Sequence, residues 1–190
     1  IKSSAASDVY KRQELEAGLE YKVIKHILNS AGIERFTDYQ MDMVRLGIGL
    51  YGVSASGQKG LRNISTLKTT ILQIQNVPAG DSIGYSRMSY VKRDSRIAII
   101  PIGYADGLDR HFSNGGGEVV INGHRCPIIG NICMDACMID VTDTDAHEGD
   151  SVIIFGEELP VSELSDKLKT IPYEILTSIS PRVKRVYYRE

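Results

Sequence analysis

The alternation of apolar and polar positions divides the chain into two parts with different patterns. Residues 21–28 form an apolar run rich in β-branched and aromatic residues, which is typical of a strand or of the end of a helix. Ser30 follows as the expected N-cap of a helix over residues 31–44, and a second apolar run at 47–51 predicts another strand. Strand, helix and strand in this order indicate an α/β unit.

A segment rich in turn-forming residues, 54–63, separates this unit from a series of short apolar runs. These runs predict strands at 67–75, 85–91, 96–102, 118–121, 124–129, 137–141 and 151–155. Asn122-Gly123, between two of them, is a strong signal for a type I′ hairpin. Helices over 160–169 and 173–178 and a closing strand over 183–188 complete the pattern. We therefore expect a second, mostly β domain.

Three segments follow from this division. Residues 1–13 show no clear periodicity and begin with isoleucine, so we expect a tail that is disordered or not native. Residues 14–56 form the first unit, and residues 64–190 form the β domain.

Composition and charge narrow the function classes. A formal net charge of −2 gives no overall attraction to nucleic acid, and no apolar run reaches the roughly 18 residues of a membrane span. The cysteines at 126, 133 and 137 are odd in number and lack the spacing of a zinc site or a disulfide framework. We expect no metal site and a reducing, cytoplasmic setting.

One tyrosine stands out among ten because of its neighbours. Tyr104 lies between Gly103 and Gly107, directly after the predicted strand at 96–102. Glycines let the backbone turn tightly and clear space around the ring, so the ring is either displayed for acid/base chemistry or simply sits at a turn. A free phenol ionises near pH 10, so the catalytic alternative requires a cationic environment.

A second candidate site lies in the first unit. Gly47-Ile-Gly-Leu-Tyr-Gly52 matches G-x-G-x-x-G, but a linker rather than a helix follows it, which argues against dinucleotide binding. The Ser30 hydroxyl, a helix N-terminus and amides next to Gly47 could instead hold a phosphate; the alternative is an ordinary capping serine. Arg45 is a surface arginine, a partner of Asp42, or a fixed hydrogen-bond donor to a cofactor ring nitrogen.

Five motifs in order resemble the alanine racemase family, and the resemblance runs from about Tyr21 to the end of the chain. They are 29–33 (NSAGI), 42–52 (DMVRLGIGLYG), 101–110 (PIGYADGLDR), 130–135 (GNICMD) and 182–187 (RVKRVY). The resemblance implies a pyridoxal 5′-phosphate enzyme with an N-terminal (β/α)8 barrel and a C-terminal β domain. This chain would be a mostly β C-terminal domain preceded by a partial (β/α)8 barrel fragment.

The resemblance also implies roles for particular residues. Ser30 and the amides of Gly47 and Ile48 would hold the cofactor phosphate, and Tyr187 would donate a further hydrogen bond to it. Arg45 would face the pyridine nitrogen. The lysine that attaches the cofactor in the family is not found in this chain, so the chain alone is expected to be inactive.

The remaining roles concern the substrate. Tyr104 would be one of two catalytic bases, reaching into the barrel of the partner in a homodimer. Met134 would line the substrate site through its main chain, and Asp135 would lie behind it. The implied function is interconversion of L-alanine and D-alanine for peptidoglycan synthesis. The alternative is a non-enzymatic module in which the β domain serves interaction or dimerisation.

Overall fold

The computed structural model describes residue 11 and residues 15–57, 60–87 and 89–188. The chain divides into two compact units between Ile64 and Ser65. Apart from residue 11, the expected tail over residues 1–13 lies outside the described residues. Within the described ranges, no helix combines the length and the apolar character needed to cross a membrane.

Besides helical residues at 15–17, the described part of the first unit contains a short α-helix, α1 (Ser30–Arg35), and two 3₁₀ segments, Thr37–Tyr39 and Ile48–Tyr51. The helix predicted over 31–44 is therefore wrong in extent, since α1 ends at Arg35. Thr37 and Asp38 favour turns over helix interiors, and Met41 has a positive φ of 52°, which no α-helix accommodates.

The two strands predicted in this unit are also wrong. The run at 21–28 forms a single parallel bridge, His26 with Met43, and the run at 47–51 becomes the 3₁₀ segment Ile48–Tyr51. Gly52 closes that segment in the left-handed conformation at φ 76°. Ser30 is the first residue of α1 rather than its cap. Asn29 is the N-cap, and its side chain accepts a hydrogen bond from the Gly32 amide.

The second unit is built on a seven-stranded antiparallel sheet and a separate two-stranded pair. The strands are β1 (Leu67–Thr70), β2 (Gln73–Val77), β3 (Ser82–Ile83), β4 (Ser89–Tyr90), β5 (Ser95–Ile100), β6 (Glu118–Ile121), β7 (His124–Ile129), β8 (Cys137–Asp140) and β9 (Ser151–Phe155). The order in the large sheet is β1-β9-β6-β7-β8-β5-β2, and β3 pairs with β4. The expectation of a mostly β domain is confirmed.

Most predicted strands have close counterparts, and three differ for identifiable reasons. The run at 67–75 is split into β1 and β2. Among the described residues of the run at 85–91, only Ser89–Tyr90 is a strand, because Gly84 takes a positive φ of 75° and the 3₁₀ turn Tyr85–Arg87 follows. The closing strand at 183–188 is wrong, since residues 183–188 have no regular structure. The hairpin is confirmed: β6 joins β7 through Asn122 and Gly123 at φ 49° and 77°.

Buried residues lie on both faces of the central strands, since consecutive residues such as Val119, Val120 and Ile121 of β6 are all buried. β5 is buried along most of its length, and its Ala98 and Ile100 are fully inaccessible. Two helices, α2 (Val161–Lys167) and α3 (Pro172–Ser178), end the regular part of the unit, close to the predicted ranges. β5 thus gives a rigid base for the turn that follows it, which begins at Gly103.

Candidate active site

The first candidate site is centred on the hydroxyl of Ser30. This side chain is only 5% exposed, and its Oγ accepts hydrogen bonds from the amides of Gly47 at 2.9 Å and Gly49 at 3.2 Å. A Cβ on Gly49 would lie 3.6 Å from Ser30 Oγ and 3.0 Å from the Leu46 side chain, so the loop packs closely against the serine. The predicted phosphate residues Ser30 and Gly47 are therefore brought together.

The hydrogen-bond donors of this site are not all used. Among the residues that the structure describes, none accepts the Ser30 hydroxyl proton. Ile48 begins the 3₁₀ segment, so its N–H has no acceptor within that segment. The Gly47 N–H is taken by Ser30. A hydroxyl proton and an amide at the start of a helical turn form an arrangement that can accept an anion.

Arg45 lies two residues before this loop and is exposed. Its amide donates to the Leu28 carbonyl at 2.8 Å, and its Nη2 donates to the Ile27 carbonyl at 3.0 Å. The side chain is thereby fixed by one of five guanidinium N–H donors. Asp42, the alternative partner, instead accepts from the Lys25 amide at 3.0 Å.

The second candidate site is the turn that carries Tyr104. Tyr104–Asp106 is a 3₁₀ turn, and the tyrosine side chain is 43% exposed. The Tyr104 amide donates to the Cys133 carbonyl and the Ala105 amide to the Met134 carbonyl, both at 3.0 Å. The phenol is thus displayed from a turn whose backbone is held by a neighbouring segment.

The flanking glycines are required by close backbone packing. A Cβ on Gly103 would lie 2.3 Å from the Cys133 carbonyl oxygen and 2.4 Å from that of Met134. Gly107 has a φ of 107°, and its Cβ would lie 2.5 Å from the Ser178 carbonyl oxygen. No other residue fits at either position without movement of the backbone. Glycines therefore flank Tyr104 because a larger residue at either position would collide with neighbouring backbone atoms.

Tyr104 also borders a cleft of about 420 Å³ within the second unit. Arg110 lies beside the ring, with its guanidinium carbon 6.0 Å from the ring centroid, near the outer limit of a cation–π contact. His111 and Glu174 also line the cleft, and His111 Nδ1 is 2.7 Å from an Asp109 carboxylate oxygen. The positively charged side chain of Arg110 thus lies at the edge of contact distance from the Tyr104 ring.

The other predicted residues of the second unit lie at its surface. Met134 is exposed, and its carbonyl is used by the Ala105 amide. Asp135 accepts from Arg182 Nη2 at 2.6 Å. Tyr187 is 87% exposed, so its hydroxyl is accessible from outside the second unit. The structure brings Tyr104, Met134 and Asp135 together through the paired backbones of residues 103–105 and 133–134.

Two of the three cysteines lie in environments that make their thiols unreactive. Cys126 and Cys137 are buried, and burial raises the pKa of Cys126 to about 11 and that of Cys137 to about 12. Thiols with such pKa values are poor nucleophiles near neutral pH. The side chains of Cys126 and Cys137 therefore act as small apolar residues.

Two residues of the Tyr104 site were missed by sequence reasoning. Asp106 accepts a hydrogen bond from the Gly103 amide at 2.9 Å, and Arg182 Nε donates to the same carboxylate at 2.7 Å. The spacing Gly-x-x-Asp is a capping pattern that could have identified Asp106. No local signal identifies Arg182, because its partners lie 76 and 47 positions away.

Comparison with known proteins shows which family the chain belongs to. The family model "Alanine racemase, C-terminal domain" matches residues 64–187, and "Alanine racemase, N-terminal domain" matches residues 8–55. Alanine racemase 2 of Caldanaerobacter subterraneus subsp. tengcongensis is 44% identical over 190 residues, covering 95% of this chain and 48% of that protein. Alanine racemase of Clostridium tetani is 40% identical, covering 92% and 48%.

Solved structures of alanine racemases also match this chain. Alanine racemase from Bartonella henselae with covalently bound pyridoxal phosphate matches with a TM-score of 0.89 and 38% identity, covering 98% of this chain and 52% of that one. Alanine racemase from Bacillus anthracis with bound L-Ala-P matches with a TM-score of 0.88 and 33% identity, covering 97% and 50%. The chain thus spans about half the length of the curated relatives it matches.

Proposed function

Because the chain belongs to the alanine racemase family, we propose that the protein carrying it interconverts L-alanine and D-alanine. The observation that carries the proposal is the Tyr104 turn, which presents an exposed phenol from a rigid strand end within the matched family domain. In the same proposal the protein supplies D-alanine for peptidoglycan in the cytoplasm.

We further propose pyridoxal 5′-phosphate as the cofactor, as in the Bartonella henselae relative. When bound, this cofactor supplies an electron sink that makes the α-proton of an amino acid acidic. The unused Ser30 hydroxyl proton and the Ile48 amide fit a phosphate, and Tyr187 is the proposed third donor. Gly47 is also assigned to the phosphate. In the structure the Gly47 N–H donates to Ser30 Oγ, so a hydrogen bond from this N–H to the phosphate stays a prediction.

Arg45 is proposed to face the pyridine nitrogen. A guanidinium is always charged and has donors but no acceptor, so the nitrogen beside it must act as a hydrogen-bond acceptor and stays unprotonated. The bond of Arg45 Nη2 to the Ile27 carbonyl fixes the side chain and leaves further N–H groups for this contact.

Tyr104 is proposed as the base that removes the α-proton of L-alanine and returns it in the reverse direction. Its hydroxyl would act in the site of the partner subunit of a homodimer, with the main chain of Met134 beside the substrate and Asp135 behind it. The exposure of Tyr104 and Met134 supports this proposal, because both side chains are accessible at the surface of their unit.

The test uses protein expressed from the complete reading frame that encodes this chain. Purified protein is loaded with pyridoxal 5′-phosphate and incubated with either enantiomer of alanine, and both enantiomers are quantified by chiral chromatography. We expect each to approach an equal mixture. Cofactor-loaded protein that leaves both enantiomers unchanged would contradict the proposal. Assembly without cofactor binding would instead favour the interaction-module alternative.

A further inference from the structure

The Tyr104 turn is tied to the C-terminal segment of the chain by one carboxylate. Asp106 Oδ2 accepts from the Gly103 amide at 2.9 Å and closes the turn from inside. Asp106 Oδ1 accepts from Arg182 Nε at 2.7 Å. The Asp106 side chain is only 13% exposed, so it leaves water to make these bonds. One group therefore both caps the turn and holds the arginine.

The same arginine reaches a second segment. Arg182 Nη2 donates to Asp135 Oδ1 at 2.6 Å, so the guanidinium bridges the carboxylates of Asp106 and Asp135. These carboxylates belong to the two segments that are already paired by the Tyr104 and Ala105 amides. A planar guanidinium presents donors in a fixed geometry, so it can hold two carboxylates at a set separation.

The segment that presents Arg182 is itself anchored. The Ser180 amide donates to the Asp106 carbonyl at 3.0 Å. Arg185 donates from Nη1 to the Ser180 carbonyl at 3.2 Å and from Nη2 to the Ile179 carbonyl at 3.0 Å. The Arg185 side chain thus supplies the hydrogen bonds that these two carbonyls would otherwise find in a sheet. Residues 179–185 therefore form a fixed base for the bridge without regular secondary structure.

The charges of the bridge persist over a wide pH range. Burial acts to raise the pKa of Asp106, but the hydrogen bonds from Arg182 and the Gly103 amide outweigh it, and the net shift is downward. The hydrogen bonds to Asp106 and Asp135 raise the pKa of Arg182 above its ordinary value. The Asp106 carboxylate and the Arg182 guanidinium are therefore both charged near neutral pH.

We propose that Arg182 is a positioning residue for the reaction: it fixes the backbone that carries Tyr104 against the backbone that carries Met134. This inference rests on the proposed role of Tyr104. A reacting group displaced by about 1 Å can lose about 10²-fold in rate, so the orientation of this turn matters to catalysis even though Arg182 itself need not touch substrate.

The variants distinguish the effect of losing the Arg182 bridge from a general loss of stability. Arg182→Gln removes both ion pairs, and Arg182→Lys keeps a charge but lacks the two-pronged geometry. Asp135→Asn weakens one arm only, which keeps the test usable if Arg182→Gln folds poorly. Arg93→Gln is the matched control, because Arg93 forms an exposed pair with Asp143 in the same unit. All are made in the complete reading frame.

The first readout is independent of activity. We expect hydrogen exchange of the Tyr104 and Ala105 amides to become about tenfold faster in Arg182→Gln, because their hydrogen bonds join the two bridged segments. Arg182→Lys is expected to lie between it and the wild type, and Arg93→Gln to match the wild type. Unchanged exchange at these amides in Arg182→Gln would overturn the proposal.

The second readout is the primary isotope effect on kcat/KM with each enantiomer of α-deuterated alanine. Misplacement of Tyr104 makes its proton transfer more rate-limiting, so in Arg182→Gln the effect should rise for L-alanine and fall for D-alanine, with kcat/KM lowered about 10-fold to 10²-fold. A purely structural role would lower the rate and leave both isotope effects unchanged, and that result would overturn the proposal.

The two readouts also separate this inference from the proposed function. If the wild type does not racemise alanine, the proposed function fails and the isotope experiment has no signal, while amide exchange still reports whether Arg182 holds the turn. If the wild type is active and Arg182→Gln changes neither readout, the inference fails and the proposed function stands.

Discussion

The Ser30 site and the Tyr104 turn are built in different ways, although each depends on one polar side chain. Ser30 gathers two glycine amides around a hydroxyl, and the surrounding unit leaves Ile24, Leu46 and Leu50 largely exposed. The Tyr104 turn follows a buried strand and is held by backbone pairs and by a charged bridge. The first site therefore depends on few local contacts, whereas the second is fixed by the packing of the β domain around it.

The largest expected effect separates the chemistry of the Tyr104 turn from its rigidity. Tyr104→Phe keeps the ring and removes the hydroxyl, so we expect racemisation at least about 10²-fold slower with unchanged unfolding behaviour. The measurement is kcat/KM with L-alanine. Tyr90→Phe, at another exposed tyrosine of the same unit, is the control and should retain activity. Near-normal turnover of Tyr104→Phe would refute the proposed base.

The next largest effect is expected on stability, from a substitution that disrupts the packing beneath the turn. Gly107→Ala places a Cβ 2.5 Å from the Ser178 carbonyl oxygen at a positive φ, so we expect the free energy of unfolding to fall by about 2–3 kcal/mol in urea titrations. Gly149→Ala is the matched control. Gly149 also has a positive φ, 91°, but nothing lies within 4 Å of its Cβ position, so about 1 kcal/mol is expected. Equal losses would show that backbone strain alone accounts for both.

A smaller effect tests the Ser30 site. Ser30→Ala removes the acceptor of two amides and one donor to a phosphate, so we expect cofactor affinity to weaken about tenfold. Equilibrium dialysis of pyridoxal 5′-phosphate measures this. Asn29→Ala removes the N-cap bond to the Gly32 amide but leaves the Ser30 bonds in place, so it should lower stability with less effect on affinity. A larger loss of affinity in Asn29→Ala would reverse the assignment.

The smallest effect is the titration of Asp106. Its pKa is lowered in the folded protein, so its stabilising contribution is complete above the pKa of an unfolded aspartate and is lost only as pH falls through the lowered folded value. We expect the NMR shift of the Gly103 amide proton to titrate with a midpoint below 3.8, the ordinary value. In Asp106→Asn this titration should disappear. A midpoint at or above 3.8 would show that the bridge does not stabilise the carboxylate.

The sequence predicted the second unit better than the first. Strands such as β6 and β9 were predicted with their observed bounds, because short runs of β-branched residues between turn-forming residues favour strands over helices. Asn122-Gly123 also identified the hairpin between β6 and β7. The first unit was assigned strands that it lacks, since short apolar runs beside Gly47 and Gly52 do not distinguish a strand from a 3₁₀ turn.

The candidate site was predictable only in part, and for a similar reason. Motifs identified Tyr104 and Ser30, whose chemistry is local. The role of Arg182 depends on Asp106 and Asp135, which are distant in sequence, and the residues directly after it, 183–188, were predicted to be a strand. Pairings over such separations are set by tertiary packing, which no local pattern contains.

The most direct test of the central claim is whether Tyr104 serves the site of a partner subunit. Tyr104→Phe protein is mixed, under conditions that exchange subunits, with Arg45→Glu protein, in which a carboxylate replaces the guanidinium proposed to face the pyridine nitrogen. Each variant alone should be nearly inactive. If the tyrosine acts across the interface, one site of each hybrid dimer is intact, and activity should recover to about a quarter of the wild-type value. Activity that stays at the mean of the two variants would contradict the account.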